Sequence, residues 1–193
     1  MSEALKKAVT EMQAARDKVN GEANTKVTKY GAFAKKFKEL DRVKTERDFD
    51  KKKKECSAQL KGSVDAAAAQ WKSTGDWETK IKAAKEKLVE EQQALAEFKK
   101  QWNEKIEKAN KHNHIVDQLN PPGPETEKLK HKVDDKVTQW IIDSEREFLH
   151  LQHEINEEES AMNTSKEIQK LDRQMLERNL EKLTSKEFQA KKK

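Results

Sequence analysis

The sequence predicts an all-α protein, an elongated antiparallel coiled-coil bundle of about three long helices. Apolar residues recur at every seventh position in three segments, and this spacing returns to one helix face as a coiled-coil seam. Glycine and proline are scarce, at 5 and 3 of 193 residues. Charged residues make up 40% of the chain and apolar residues only 33%, against about 45–50% apolar in an ordinary domain. These proportions favour a thin bundle over a thick core.

The first predicted helical arm covers about residues 2–61 and carries two rows of residues spaced by seven. The first row is Leu5, Met12, Val19, Lys26, Phe33, Leu40 and Arg47, and the second is Val9, Arg16, Ala23, Tyr30 and Phe37. Because both rows are mostly apolar and lie four positions apart, they predict one buried stripe along this arm.

The second predicted arm covers about residues 64–119. Its seam is Ile81, Leu88, Leu95, Trp102, Ala109 and Val116. Gly62-Ser63 and the segment 73–76 bracket a run of alanines, and these soft breaks predict a turn between the first two arms. Asp76 is also a candidate N-cap for a helix that opens at Trp77.

The strongest break in the chain is the proline-rich segment 120–124, whose three prolines cannot lie inside a helix. It predicts a turn into a third arm at about 125–190. The seam of that arm is Ile141, Phe148, Ile155, Met162, Gln169, Leu176 and Leu183, widened by Val133, Val137, Trp140 and Leu151. We expect residues 1–193 to form a single helical domain.

The four tryptophans divide into two pairs. Trp102 and Trp140 fall in apolar rows, so core packing is favoured for both. Trp71 and Trp77 flank the soft break at 73–76. Core packing is again the favoured interpretation, and exposure at the tip of an arm is the alternative.

Positive charge is concentrated in the first arm. Residues 1–62 hold 17 Lys and Arg against 10 Asp and Glu, whereas the rest of the chain is neutral to slightly acidic. The candidate residues for binding an anionic surface are Lys35, Lys36, Lys38, Lys51, Lys52, Lys53 and Lys54. A solvated face, a lipid or protein surface and a nucleic acid are the alternatives. Nucleic acid is less favoured because the nearby Phe33 and Phe37 already belong to the seam.

No catalytic motif is present, so we predict neither an enzyme nor a cofactor. Glu147 and His150 have the spacing of one half of a di-iron site, but a second pair is missing and no metal site is predicted. Cys56 follows four lysines, which would lower a thiol pKa and allow a redox role. A seam or surface position is the plainer interpretation of this cysteine.

A single cysteine excludes a disulfide within the chain, and no apolar run reaches the roughly 18 residues of a membrane span. The N-terminal residues carry no secretory apolar stretch. These features predict a cytoplasmic protein, with a cytoskeletal or peripheral membrane location as further options.

Two segments resemble the BAR superfamily of membrane-curvature proteins. Residues 40–50, followed by lysines, are similar to the basic helix that precedes a BAR arm tip. Residues 80–88, with Phe98 and Trp102, are similar to the helix that returns from it. The resemblance implies an antiparallel dimer that turns a set of lysines toward acidic lipid, namely Lys35, Lys36, Lys51, Lys52, Lys53 and Lys54.

Two functions are therefore expected from the sequence. The first is a non-catalytic helical scaffold or assembly protein that binds itself as a homodimer, or binds other helical proteins. The alternative is a BAR-like module that binds acidic membrane surfaces through its basic arm.

Overall fold

The computed structural model describes residues 1–190, and within that range it contains helices and turns but no strand. The long helices are α1 (Glu3–Glu39), α2 (Glu46–Leu119) and α4 (Asp135–Ser185), and α3 (Pro124–Glu127) is a single turn. The predicted all-α helical bundle is confirmed, since the long helices pack against one another. None of the described helices has an 18-residue stretch apolar enough to cross a membrane.

The described residues form two compact units, and the single domain expected over residues 1–193 stays a prediction. We call residues 1–7 with 84–155 the hairpin unit, and residues 8–83 with 156–190 the three-helix unit. The long helices contribute different stretches to the two units.

The three-helix unit consists of α1, the first half of α2 and the last part of α4. Glu11 of α1 pairs with Lys80 of α2 at 3.1 Å, and Lys36 pairs with Glu55 at 3.2 Å, so the two helices are antiparallel. Near the end of α1, the Tyr30 hydroxyl accepts a hydrogen bond from the Asn179 amide at 3.2 Å. With an Arg16–Glu158 ion pair nearer its start, α1 runs parallel to α4.

The core of this unit follows the predicted rows. Every member of the first α1 row from Met12 to Leu40 is buried, the polar Lys26 included, and so are the α4 positions from Met162 to Leu183. One cluster at the α1–α2 turn comprises Phe33, Leu40, Phe49, Cys56, Leu60, Leu176 and Leu183. Seven-residue spacing therefore identified the buried faces of both helices.

The turn between the first two helices lies at 40–45, so its predicted position at 62–63 is wrong. Leu40–Arg42 form one 3-10 turn, and the Thr45 hydroxyl accepts the Asp48 backbone N–H at 3.2 Å to open α2. Helix α2 continues through Gly62 and Gly75, and the predicted helix start at Trp77 is wrong as well. A glycine costs a helix only about 1 kcal/mol relative to alanine, which packing on both sides can offset.

The hairpin unit pairs the second half of α2 with the first part of α4. Lys99 bonds to Glu145 at 2.8 Å, and the Trp102 indole donates to the Thr138 hydroxyl at 3.0 Å, so the helices are antiparallel. Their contact buries Ala84, Leu88, Leu95, Val116, Ile141, Phe148, Leu151 and Ile155. From residues 1–7, Leu5 is buried and the Ser2 backbone N–H reaches Glu91 at 3.3 Å.

The proline-rich segment ends α2 at Leu119, as predicted, but α4 begins at Asp135 instead of 125. The intervening chain folds back on α2. The Asn113 side chain bonds the backbone N–H and carbonyl of His131 at 2.8 and 2.9 Å, and the His112 ring N–H donates to the Leu129 carbonyl at 2.9 Å. These bonds satisfy backbone groups outside a helix, so α4 starts later than its apolar row suggests.

Candidate functional site

A groove of about 710 Å³ runs along the hairpin unit between α2 and α4. Leu95 and Phe148, both buried, form its apolar floor. Leu149 and Ala96 lie on its walls, and Leu149 is 65% exposed. The groove is therefore an apolar surface that two helices form and that nothing in their own unit covers.

The α2 wall of this groove carries both signs of charge. Lys100, Glu104 and Glu107 follow one another at four and three positions, so they lie on the same helix face. Lys99 is held by Glu145 across the groove at 2.8 Å. The wall thus has a basic end and an acidic end along about two turns of helix.

The other face of the hairpin unit carries an exposed aromatic pair. The rings of Phe98 and Trp140 meet edge to face with centroids 5.4 Å apart, and Trp140 is 54% exposed. The prediction that Trp140 belongs to the core is wrong, because two helices cover only one stripe of each other. Trp102 is half-buried between the helices, which is closer to the predicted core position than the exposure of Trp140 is.

Trp71 and Trp77, which flank the break wrongly predicted at 73–76, have different environments. Trp77 is buried and its indole donates to Glu158 at 3.0 Å, which agrees with core packing. Trp71 is partly exposed, with the Arg173 guanidinium 5.0 Å above its ring. Neither lies at the tip of an arm, since α2 is continuous here.

The seven lysines predicted to bind an anionic surface flank the α1–α2 turn, and three of them already bind within the three-helix unit. Lys36 pairs with Glu55, Lys52 pairs with Glu39 at 3.3 Å, and Lys53 donates to the backbone carbonyls of residues 184 and 186 at 3.3 and 2.8 Å. The four whose side chains are exposed are Lys35, Lys38, Lys51 and Lys54. Acidic side chains at 41, 46, 48 and 50 interrupt the positive charge of the turn.

Cys56 is fully buried in the cluster at this turn. Its burial raises the pKa of the thiol above the ordinary value, and this outweighs the opposing effect of Lys36 and Lys52. The expected lowering of the thiol pKa is therefore wrong, because four consecutive lysines point around the helix while Cys56 points inward. A buried thiol of raised pKa is a poor nucleophile.

Polar residues in the core of the three-helix unit were only partly foreseen. Lys26 and Gln169 appear as interruptions of apolar rows, which was the one available signal. The structure gives both of them partners: Lys26 bonds Gln70 at 2.6 Å and pairs with Asp172, and the Gln169 amide donates to the Thr74 hydroxyl at 2.7 Å, whereas the Gln169 side-chain oxygen has no partner. Long-range partners of this kind cannot be found from periodicity.

His150, the histidine considered as a metal ligand with Glu147, lies 3.2 Å from Glu154 on an exposed face of α4. Across residues 1–190, no group of three or more His, Cys, Asp or Glu side chains is placed to hold a metal ion.

No protein-family model matches this chain, and no significant match was found among curated proteins or solved structures.

Proposed function

We propose that this protein is a non-catalytic helical assembly protein that pairs with a second copy of itself through the groove of the hairpin unit. The observation that supports this proposal is the uncovered apolar groove, with Leu149 and Ala96 exposed above a floor of Leu95 and Phe148. Removing such surface from water would contribute about 25 cal/mol per Å² of apolar area.

A helix is the natural shape to fill this groove. Side chains of a third helix pack into the channel between two others at 8–10 Å interaxial distance, as ridges into grooves. In the three-helix unit that third position is taken, since buried residues of α1, α2 and α4 pack together. The hairpin unit has only two long helices, so its groove is open to a helix from another molecule.

The charges on the groove wall favour a second copy as the partner. A two-fold interface is self-complementary, so residue i of one copy meets residue j of the other and the reverse. If α2 of a second copy runs antiparallel, Lys100 of each copy meets Glu107 of the other, and Asn103 lies at the centre. A uniformly acidic or uniformly basic partner would meet like charge at one end of the wall.

The proposal is tested by measuring molar mass in solution with light scattering over a range of concentrations. The wild-type chain should form a dimer, and Leu149→Lys should shift the population toward monomer by placing a charge in the contact. Leu171→Lys is the matched control, because Leu171 is an α4 leucine of 64% exposure that does not line the groove. A monomeric wild type, or equal dissociation of both variants, would overturn the proposal.

A second candidate is a BAR-like module that binds acidic membranes through its basic arm. It is supported by the exposed lysines beside the α1–α2 turn, of which Lys51 and Lys54 lie one helical turn apart. Each lysine near an anionic surface contributes about 1 kcal/mol, and salt screens it within about 8–10 Å.

This candidate is tested by co-sedimentation with phosphatidylserine vesicles. The double change Lys51→Gln and Lys54→Gln should weaken binding by about 2 kcal/mol. The control is Lys105→Gln with Lys108→Gln, which removes the same charge from exposed sites on the hairpin unit. If the wild type stays in the supernatant at low salt, the lysines serve as a solvated face.

A further inference from the structure

A second cavity, of about 530 Å³, opens between α1 and α4 in the three-helix unit, with α2 behind it. Its walls carry Ala23 and Val27 of α1 with Ile168, Met175 and Leu176 of α4. Its size falls in the usual range of small-molecule sites, about 300–1,000 Å³, and its walls are mainly apolar as such sites require.

Polar groups converge at the floor of this cavity. Lys26 is 8% exposed, and its ammonium donates to the Gln70 amide oxygen at 2.6 Å and pairs with Asp172. An ammonium has three donors, so these two partners leave one donor available, and Lys26 lines the cavity. Because Asp172 balances the charge of Lys26, the floor carries no net charge.

Ser63 supplies an independent observation. Its side chain is 0% exposed and lines the same cavity, yet its hydroxyl has no hydrogen-bond partner. A buried hydroxyl without a partner typically costs about 1–3 kcal/mol, and buried polar groups in folded proteins are nearly always bonded. The hydroxyl therefore has an unfilled bonding capacity that an occupant of the cavity can satisfy.

We propose that this cavity binds a small neutral amphipathic molecule, with an apolar body between α1 and α4 and one hydroxyl or carbonyl oxygen on the floor. The oxygen would accept from Lys26 and bond the Ser63 hydroxyl. A carboxylate fits less well because it would lie beside Asp172, whose charge already neutralises Lys26. This site is independent of the assembly function proposed above, since it uses no residue of the hairpin unit.

The probe for this site is 1-decanol, titrated into the full chain and followed by the ¹H–¹⁵N shifts of residues around the cavity. We expect saturable binding at one site and weaker binding of decanoate at neutral pH. Ser63→Ala should weaken decanol binding by about three- to tenfold, the usual effect of one neutral hydrogen bond. It should not lower the melting temperature, because it removes a hydroxyl that has no partner.

A second pair of variants separates occupancy of the cavity from general apolar adsorption. Ala161→Phe places a ring in the cavity and should abolish binding, whereas Ala69→Phe, on an exposed face of α2 outside it, should bind as the wild type does. Absence of saturable binding overturns the proposal. Equal binding by Ala161→Phe, or tighter binding of decanoate than of decanol, also overturns it.

Discussion

At the scale of single residues, the core of the three-helix unit depends on a buried carboxylate. Glu158 is almost fully buried, pairs with Arg16 and accepts the Trp77 indole N–H at 3.0 Å. A buried charge is tolerated only when partners replace its lost hydration. Glu158 thus joins all three helices of the unit through one side chain.

We expect Glu158→Ala to lower the free energy of unfolding by about 1–3 kcal/mol, because it leaves the buried Trp77 N–H without its acceptor. It also removes one of the two carboxylates beside Arg16, which lies 3.6 Å from Asp17 as well. Glu177→Ala, an exposed glutamate on the same helix, should change it by less than about 0.5 kcal/mol. Urea denaturation of both variants measures the difference. Similar midpoints would contradict the role assigned to Glu158.

The pair Glu78–Lys166 gives a pH dependence of defined sign. The hydrogen bond from Lys166 lowers the pKa of Glu78 below its ordinary value of 4.5. The unfolded chain therefore binds this proton more readily, so the pair stabilises the fold above pH 4.5 and loses its effect as the pH falls through the lowered pKa.

Glu78→Gln should accordingly reduce stability at pH 7 by up to about 1 kcal/mol, the upper end for a partly exposed pair. The difference in stability between the variant and the wild type should disappear at acidic pH. Thermal unfolding at several pH values is the measurement, and a gap that persists or widens below pH 3 would be inconsistent with this assignment.

The position of a polar residue in an apolar row indicated that it is buried, but not which residues it bonds. Lys26 and Gln169 were visible as polar residues in apolar rows, and both are buried. Their partners Asp172 and Thr74 lie 146 and 95 positions away, so only the packing of helices brings them together. Glu158 carried no signal, because a glutamate outside the apolar row resembles any solvated residue of a charged helix.

At the scale of helices, the long α2 shows that glycine and serine do not by themselves end a helix. The predicted turn at 62–63 rested on Gly62-Ser63, whereas the real turn uses Thr45 as the N-cap of α2. Thr45 and Asp48 have a capping spacing that the sequence displayed, but so do many pairs in a chain this rich in charge. Seven-residue periodicity cannot distinguish these cases, since it continues on both sides of a tight turn.

Because α2 is continuous through Gly62, the effect of a substitution there on stability can be predicted. A Cβ added there would meet the Lys29 side chain at an ordinary 3.7 Å, so nothing in the fold requires a glycine. Gly62→Ala should raise the free energy of unfolding by about 0.5–1 kcal/mol, the usual gain inside a helix. Gly75→Ala, with open space around it, should behave alike.

Denaturant midpoints of the two glycine variants test this directly. A loss of stability in Gly62→Ala alone would indicate a turn at 62–63 and contradict the continuous helix.

At the scale of the whole molecule, the seam positions of the two units have different numbers of neighbouring helices. In the three-helix unit the first α1 row from Met12 to Leu40 and the α4 seam from Met162 to Leu183 are buried among three helices, while Val27, Ile168 and Leu171 beside them are exposed. In the hairpin unit the rows meet one neighbour, so Phe98, Trp140 and Leu149 remain exposed. The sequence predicted three helices of similar pattern and could not show that one stretch has fewer neighbours, because the number of neighbours depends on tertiary packing.

In the proposed dimer, a second copy fills the groove of the hairpin unit with Asn103 near the two-fold axis. Asn103→Cys is the variant that tests this arrangement, since the native Cys56 is buried and the new thiol is exposed. Under mild oxidation we expect a disulfide-linked dimer of Asn103→Cys. The wild type and Gln174→Cys, an exposed site on α4 away from the groove, should remain unlinked. An unlinked Asn103→Cys, or equal linking of Gln174→Cys, would contradict this arrangement.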